Sequence, residues 1–469
     1  MVTRYGDTSG TLYGVGYAQT LYGTEGIDTL YGDARTMVRG ASGGHDTLFG
    51  LGGNDFLAGD AYYMYDTSRG GNDKIYGGEG DDRGYGDAYY MYNASRGGND
   101  FLYGENGDDT LNGDAHEMYD DAQGGVDTID GGAGVDILRG DAYHLYDSSD
   151  GGGDTLRGGS GNDDLYGDAH YMHNTSTGGS DTLYSGYGND DVFGDANAML
   201  SSALGGSDSL YGEQGNDSLR GDALQMGDGT FGGHDTLYGD GSVSPPFPNI
   251  PTKITDADVL VGDADQMSGN AQGGTDTLFG GRDDDVLYGD AKSLLGSSHG
   301  ATDYLYGGTG NDTLYGDAGY MEETATTAND FLYGEDGDDT LYGDADDMLP
   351  SIVGGNDLLN GGAGSDTLYG NSGADTLIGG TGTDHLWGGA GNDVFVFSAG
   401  DGVNFIHDFT LCEDKIDLRP LGYNSFDDID IRSNPYNGNA QVMLGGAFDW
   451  VDVIGITPGQ LSGADFILL

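Results

Sequence analysis

The tripeptide Gly-Asp-Ala returns every 27 residues, beginning at Gly32, Gly59, Gly86, Gly113, Gly140, Gly167, Gly194 and Gly221 and again at Gly262, Gly289, Gly316 and Gly343. A fixed period of this length means one structural unit stacked many times, each copy burying its apolar face against the next. The single break, 41 residues from Gly221 to Gly262, equals 27 plus 14. It coincides with Ser-Pro-Pro-Phe-Pro-Asn-Ile-Pro in a Pro-rich insertion near 242–255 and reads as an inserted loop.

The repeat carries an unusual load of charge. Of 469 residues, 94 are Gly, and 80 Asp plus Glu stand against 16 Lys plus Arg, a formal charge of −64. Glycine at this level without a three-residue period excludes collagen, and 11% aromatic content argues against a purely disordered acidic tail. Self-repulsion on this scale calls for bound cations, and it makes nucleic acid and anionic membrane surfaces poor partners. Cys412 is the one cysteine, so no internal disulfide holds the chain. No basic segment followed by an apolar run opens the sequence, and no apolar stretch is long enough for a membrane span.

Each unit has a smaller grammar. Gly77-Gly78-Glu79-Gly80-Asp81-Asp82 is a six-residue turn, and Arg83-Gly84-Tyr85 is the strand triplet that follows it. The other half of the unit runs from Gly86 to the triplet Phe101-Leu102-Tyr103 through a much longer turn. Plain nonapeptides begin at Gly14 and Gly23 and at Gly361, Gly370, Gly379 and Gly388. This GGxGxDxUx pattern, U being a large apolar residue, resembles the repeat of RTX (hemolysin-type) calcium-binding proteins over about residues 5–397. The resemblance implies an all-β fold, a right-handed parallel β-roll or RTX β-solenoid, here with 27-residue coils carrying a long loop on one edge. It also implies multiple calcium ions, each shared by two successive turns. The turn chemistry agrees: glycines aim backbone carbonyls inward and the sixth-position Asp adds a carboxylate, giving the all-oxygen shell calcium prefers.

On the short-turn edge the matching residues are Asp28, Asp55, Asp82, Asp109, Asp136, Asp163, Asp190, Asp217, Asp285, Asp312, Asp339, Asp366, Asp375, Asp384 and Asp393. On the long edge Asp46, Asp73, Asp100, Asp127, Asp154, Asp181, Asp208, Asp235, Asp276 and Asp357 hold the same place relative to the triplet, behind a truncated Gly-Gly-x. Asp303 and Asp330 lose even the double glycine, and their sites are in doubt. The Asp of Gly-Asp-Ala has two readings. In Asp33-Ala34-x-x-Met37 it reads as an N-cap followed by one helical turn, which is favoured over a metal ligand. Met or Leu recurs five residues after each of these glycines, from Met37 to Met348, and this stripe is expected to seal the long loops onto the roll.

Within each triplet the middle residue points inward, so Leu30, Leu48, Leu57, Ile75 and Leu102 open an interior column. Tyrosines such as Tyr76 and Tyr103 face outward, and the loops add Tyr62, Tyr63, Tyr89 and Tyr90. Gly40-Ala41-Ser42-Gly43-Gly44 matches GxSxG only by chance, since the phase gives it no strand-to-helix elbow. His170 and His173 could pair on a metal, though the bland reading is favoured.

After Val396 the glycine grammar gives way to ordinary alternation, as in Asn404-Phe405-Ile406-His407 and Val451-Asp452-Val453-Ile454. Residues 398–469 are similar to the C-terminal domain of serralysin-type secreted proteases, ending in Asp465-Phe466-Ile467-Leu468-Leu469. That resemblance implies a small β-rich capping domain and an uncleaved signal for type I secretion machinery, the first expected partner. The combined reading is a secreted, extracellular calcium-binding solenoid that folds on calcium after export and has a structural or adhesive role, not an enzyme. A carbohydrate- or cell-surface-binding module using the loop tyrosines is the alternative. Self-association is expected through the first coil, Thr11-Leu12-Tyr13 with Thr20-Leu21-Tyr22.

Overall fold

The computed structural model describes residues 2–240, 256–322, 324–349, 351–446 and 448–469. The Pro-rich insertion near 242–255 lies outside the described residues. By contact density the chain divides into two compact units, Met1–Ile254 with Asp263–Gln272, and Thr255–Gly262 with Gly273–Leu469.

One coil of the first unit shows the plan. It contains three strands, Phe56–Ala58, Ala61–Met64 and Lys74–Glu79, each belonging to a different parallel sheet. Phe56–Ala58 pairs with Thr29–Tyr31 on one side and Arg83–Tyr85 on the other. Ala61–Met64 lies between Ala34–Met37 and Ala88–Met91. Lys74–Glu79 lies between Thr47–Gly52 and Phe101–Asn106. Because pairing partners are one sequence period apart, like stacks on like at every position. The second unit repeats the plan, with Thr313–Tyr315, Ala318–Met321 and Phe331–Asp336 each paired in register to the corresponding strands of the coils before and after. The fold is an all-β parallel solenoid. Among the described residues its only helices are four 3-10 turns beyond Leu418: Arg419–Leu421, Phe426–Asp428, Pro458–Gln460 and Gly463–Asp465.

The interior is built as expected from the triplets and is richer than expected from the loops. Leu30, Leu48, Leu57, Ile75 and Leu102 are fully buried. The long turn is not a loop sealed by a helical turn: residues such as Ala34–Met37 and Ala88–Met91 form a third sheet, correcting the N-cap reading of Gly-Asp-Ala. Both the first and last residue of these strands are buried, as at Ala88 and Met91. A strict two-residue alternation would put them on opposite faces, so the strand bends between them. Met37, Met64, Met91, Met118, Met172 and Met199 therefore form a core column of their own, fully buried, as their spacing implied.

One core position is underfilled. Gly84 stands where most other triplets carry Leu, Ile or Val, and the atoms nearest to a Cβ added there are the side-chain ends of Leu111 (2.9 Å), Leu102 (3.5 Å) and Ile75 (3.8 Å). These methyl groups can rotate aside. Gly84→Ala is expected to stabilise the calcium-loaded fold by about 0.5–1 kcal/mol, through lower unfolded-chain entropy and filled space. Two residues on, a Cβ at Gly86 would lie 1.7 Å from the Gly113 carbonyl oxygen. Gly86→Ala should be severely destabilising, and denaturant titration of both variants in saturating calcium checks the opposite signs.

Aromatic side chains stack along the coils, Tyr76 on Tyr103 at 5.0 Å and Tyr62 on Tyr89 at 5.0 Å. Tyr85, whose place in its triplet reads as outward like that of Tyr103, is instead buried, with Tyr31, against Tyr62 and Tyr89 of the third sheet. The C-terminal segment prolongs the sheets before it closes them. Val403–Ile406 pairs in parallel with His385–Trp387, and Lys415–Asp417 with Val394–Val396. Ala440–Met443 then runs antiparallel between Ile431–Ser433 and Trp450–Val453.

Candidate metal centre

Two corners of each coil carry the acidic residues singled out by the repeat. On the short-turn corner, the backbone N–H of each Asp donates to Oδ1 of the Asp one coil further on. Asp55 N–H reaches Asp82 at 2.7 Å, Asp82 reaches Asp109 at 2.7 Å and Asp109 reaches Asp136 at 2.8 Å. The series starts at Asp28, continues through Asp163 and Asp190 to Asp217, and in the second unit joins Asp258, Asp285, Asp312, Asp339, Asp366 and Asp384. Asp258 was not found from sequence, because Thr255-Asp256-Ala257 replaces its glycine turn.

The long-turn corner repeats the arrangement. Asp46 N–H donates to Asp73 Oδ1 at 2.6 Å, Asp73 to Asp100 at 2.6 Å, and the series passes through Asp127, Asp154, Asp181 and Asp208 to Asp235. In the second unit it links Asp276, Asp303, Asp330, Asp357, Asp375, Asp393 and Asp414. Two corrections follow. Asp303 and Asp330 have the geometry of their neighbours despite the lost glycines. Asp375 and Asp393 belong to the long-turn series, not the short one, because successive nonapeptides are half-coils and alternate corners.

Oδ2 of Asp28 accepts from Thr24 and Oδ2 of Asp414 from Thr410, but at many coils between them the second carboxylate oxygen is buried and accepts nothing. This holds for Oδ2 of Asp55, Asp82, Asp109 and Asp136 on one corner and of Asp73, Asp100, Asp127 and Asp154 on the other. On the short-turn corner, Asp82 Oδ2 and the Gly104 carbonyl oxygen lie 2.5 and 2.9 Å from where a Cβ on Gly77 would sit. On the long-turn corner, Asp73 Oδ2 and the Gly86 carbonyl oxygen lie 2.2 and 1.8 Å from the Cβ position of Gly59. The carbonyl missing from the truncated Gly-Gly-x is thus supplied by the glycine of Gly-Asp-Ala. Gly78 and Gly80 shape the short turn with φ of +113° and +121°, conformations open chiefly to glycine.

Burial without partners makes these acids reluctant to ionise. Burial, reinforced by Asp55 and Asp109, pushes Asp82 up to about 7. Burial pushes Asp100 up to about 8, and it holds Asp73 well above the usual carboxylate range, with Asp60 and Asp100 adding to it. Each orphaned oxygen costs stability unless a cation takes it. The donors are all oxygen, carboxylate and backbone carbonyl, which fits a hard cation such as calcium. Among the described residues no three His, Cys, Asp or Glu side chains gather to hold a metal alone, so the carbonyls are a necessary part of any shell. His170 and His173 do not come together. His173 faces His144 at 3.2 Å, and His170 stacks on Tyr143.

The pattern that defines the RTX calcium-binding nonapeptide repeat matches more than half of the chain, at residues 13–34, 41–61, 68–88, 96–115, 121–142, 148–170, 175–198, 202–223, 270–291, 300–319, 324–347, 353–386 and 369–403. The chain belongs to the RTX calcium-binding repeat family. RTX repeats bind calcium at multiple sites, and the paired corners of orphaned carboxylates are where this RTX solenoid has the donors to do so. Solved structures that match include the solution structure of the AlgE6R2 subunit from the Azotobacter vinelandii mannuronan C5-epimerase, at 24% identity over 31% of this chain and 94% of that one. Its TM-score is 0.20. No curated protein matches.

Proposed function

We propose that this RTX chain is a secreted calcium-folded solenoid with a structural or adhesive role outside the cell, and that Asp82, Asp109, Asp136 and their equivalents on both corners are its calcium ligands. The observation that carries this reading is the line of buried carboxylate oxygens with no hydrogen-bond donor, as at Asp55, Asp82, Asp109 and Asp136 on one corner and Asp73, Asp100, Asp127 and Asp154 on the other. A fold that places acids this way is coherent only with cations between them. The serralysin-like sequence of residues 398–469 supports export through type I secretion machinery. Extracellular calcium modules bind with dissociation constants on the order of 10⁻⁴ to 10⁻³ M, so the chain would remain metal-free inside a cell and load outside it.

Equilibrium dialysis against calcium tests the reading. Many ions per chain are expected, half-saturated in about the 10⁻⁴ to 10⁻³ M range. A chain that takes up no calcium at 10 times that concentration would not be the protein proposed.

A further inference from the structure

The aspartates of Gly-Asp-Ala are not accounted for by the repeat sites. Asp168, Asp195 and Asp222 are fully buried, and each has one anchored oxygen and one without a partner. The anchor is a backbone N–H eleven residues on: Gly179 donates to Asp168 Oδ1 at 2.7 Å, Gly206 to Asp195 at 2.8 Å and Gly233 to Asp222 at 2.7 Å. The free oxygen leans towards the carboxylate of the next coil. Around Gly178, Asp168 Oδ2 and Asp195 Oδ1 lie 2.4 and 2.0 Å from where a Cβ would be. Around Gly205, Asp195 Oδ2 and Asp222 Oδ1 lie 2.4 and 2.1 Å from that point.

The Gly-Gly pairs of this corner, unlike the short turn, need no left-handed backbone: neither Gly178 nor Gly179 has a positive φ. Their role is to clear space. Two carboxylates from successive coils are brought together over a bare α-carbon, within hydrogen-bonding reach of one another, and among the described residues no lysine or arginine side chain hydrogen-bonds to them. One coil offers a natural contrast. Thr327 stands in for the first glycine there, and its side chain hydrogen-bonds the Asp344 carboxylate that would otherwise face this space.

We infer that the Gly-Asp-Ala aspartates form a third line of calcium sites, each ion held between the carboxylates of two successive coils, as at Asp168 with Asp195 and Asp195 with Asp222. The inference rests on the calcium reading above and adds ligands that the nonapeptide pattern does not contain. Its geometry is interrupted where Thr327 fills the gap.

Crystals of the full-length protein grown in calcium and soaked in strontium or a lanthanide give the direct test. Anomalous peaks are expected between Asp168 and Asp195 and between Asp195 and Asp222, as well as at the two repeat corners. Peaks at the repeat corners alone would overturn the third line and leave the calcium reading intact; no peaks anywhere would overturn both. In solution, Asp168→Asn with Asp195→Asn keeps an acceptor for the Gly179 and Gly206 N–H groups. It should lower bound calcium, by elemental analysis after dialysis, by about two to three ions per chain. Wild-type stoichiometry in that variant would also overturn the proposal. Should it fail to fold, the wild-type crystals decide.

Discussion

Stripped of calcium at neutral pH, the chain should lose nearly all of its strand signal and expand, and millimolar calcium should restore both. The interior columns are one side chain thick per strand, while from the second coil onward the two corners bury aspartate after aspartate, as at Asp55 and Asp73. Apolar burial at about 25 cal/mol per Å² must order a chain rich in glycine, the residue that loses most freedom on folding. Unneutralised buried acids tip that balance towards the unfolded state. Sodium chloride should not substitute, because screening weakens repulsion between surface charges but leaves buried pairs largely untouched. Circular dichroism and small-angle scattering in chelator, in chelator with molar salt and in calcium distinguish the cases. Unchanged strand content in chelator would refute the mechanism.

The second expected result is a pH dependence that changes sign with calcium. In the metal-free fold Asp82 and Asp136 sit at about 7 and Asp100 and Asp375 at about 8, mainly through burial, against an ordinary 3.8. Between those values the folded state holds more protons than the unfolded chain, so metal-free stability is greatest in acid and is lost as pH rises through about 7 to 8. Acidifying chelated protein from neutral pH to about 5 should therefore recover strand content. With calcium bound the same carboxylates are ionised ligands, protons compete with the metal, and acidification should destabilise. Melting curves across pH with and without calcium should cross. Parallel curves of one sign would show that the corner acids do not govern the fold.

Much of this architecture was legible because the repeat places identical residues one coil apart. Leu57, Ile75 and Leu102 were readable as core from their position in the triplets, and the short-turn aspartates from the glycines before them. The third sheet was not. Ala88 and Met91 are three apart, a spacing that suits one face of a helical turn, and only the bend in the strand turns both inward. The long-turn sites were obscured for a different reason. The carbonyl facing Asp73 belongs to Gly86 in the next coil, and the glycine clearing its space is Gly59, fourteen residues earlier. Local pattern cannot show a site whose parts meet only after stacking. The same holds for Asp375, whose corner is set by counting half-coils rather than by its own nonapeptide.

The hydrogen bonds that join neighbouring coils point along the stacking direction, as do the ring stacks such as Tyr76 on Tyr103, and the covalent link from one coil to the next is a single strand. Tension applied across a unit would load these bonds in series, one coil at a time, rather than shearing whole sheets together. Each rupture would pay out 27 residues in the long coils, roughly 90 Å of contour, and 18 in the nonapeptide coils beyond Asp357. Ions clamped between coils would set the force at each step. Under load such a solenoid would shed length coil by coil, with a stiffness set by the calcium around it, and rewind when the load falls.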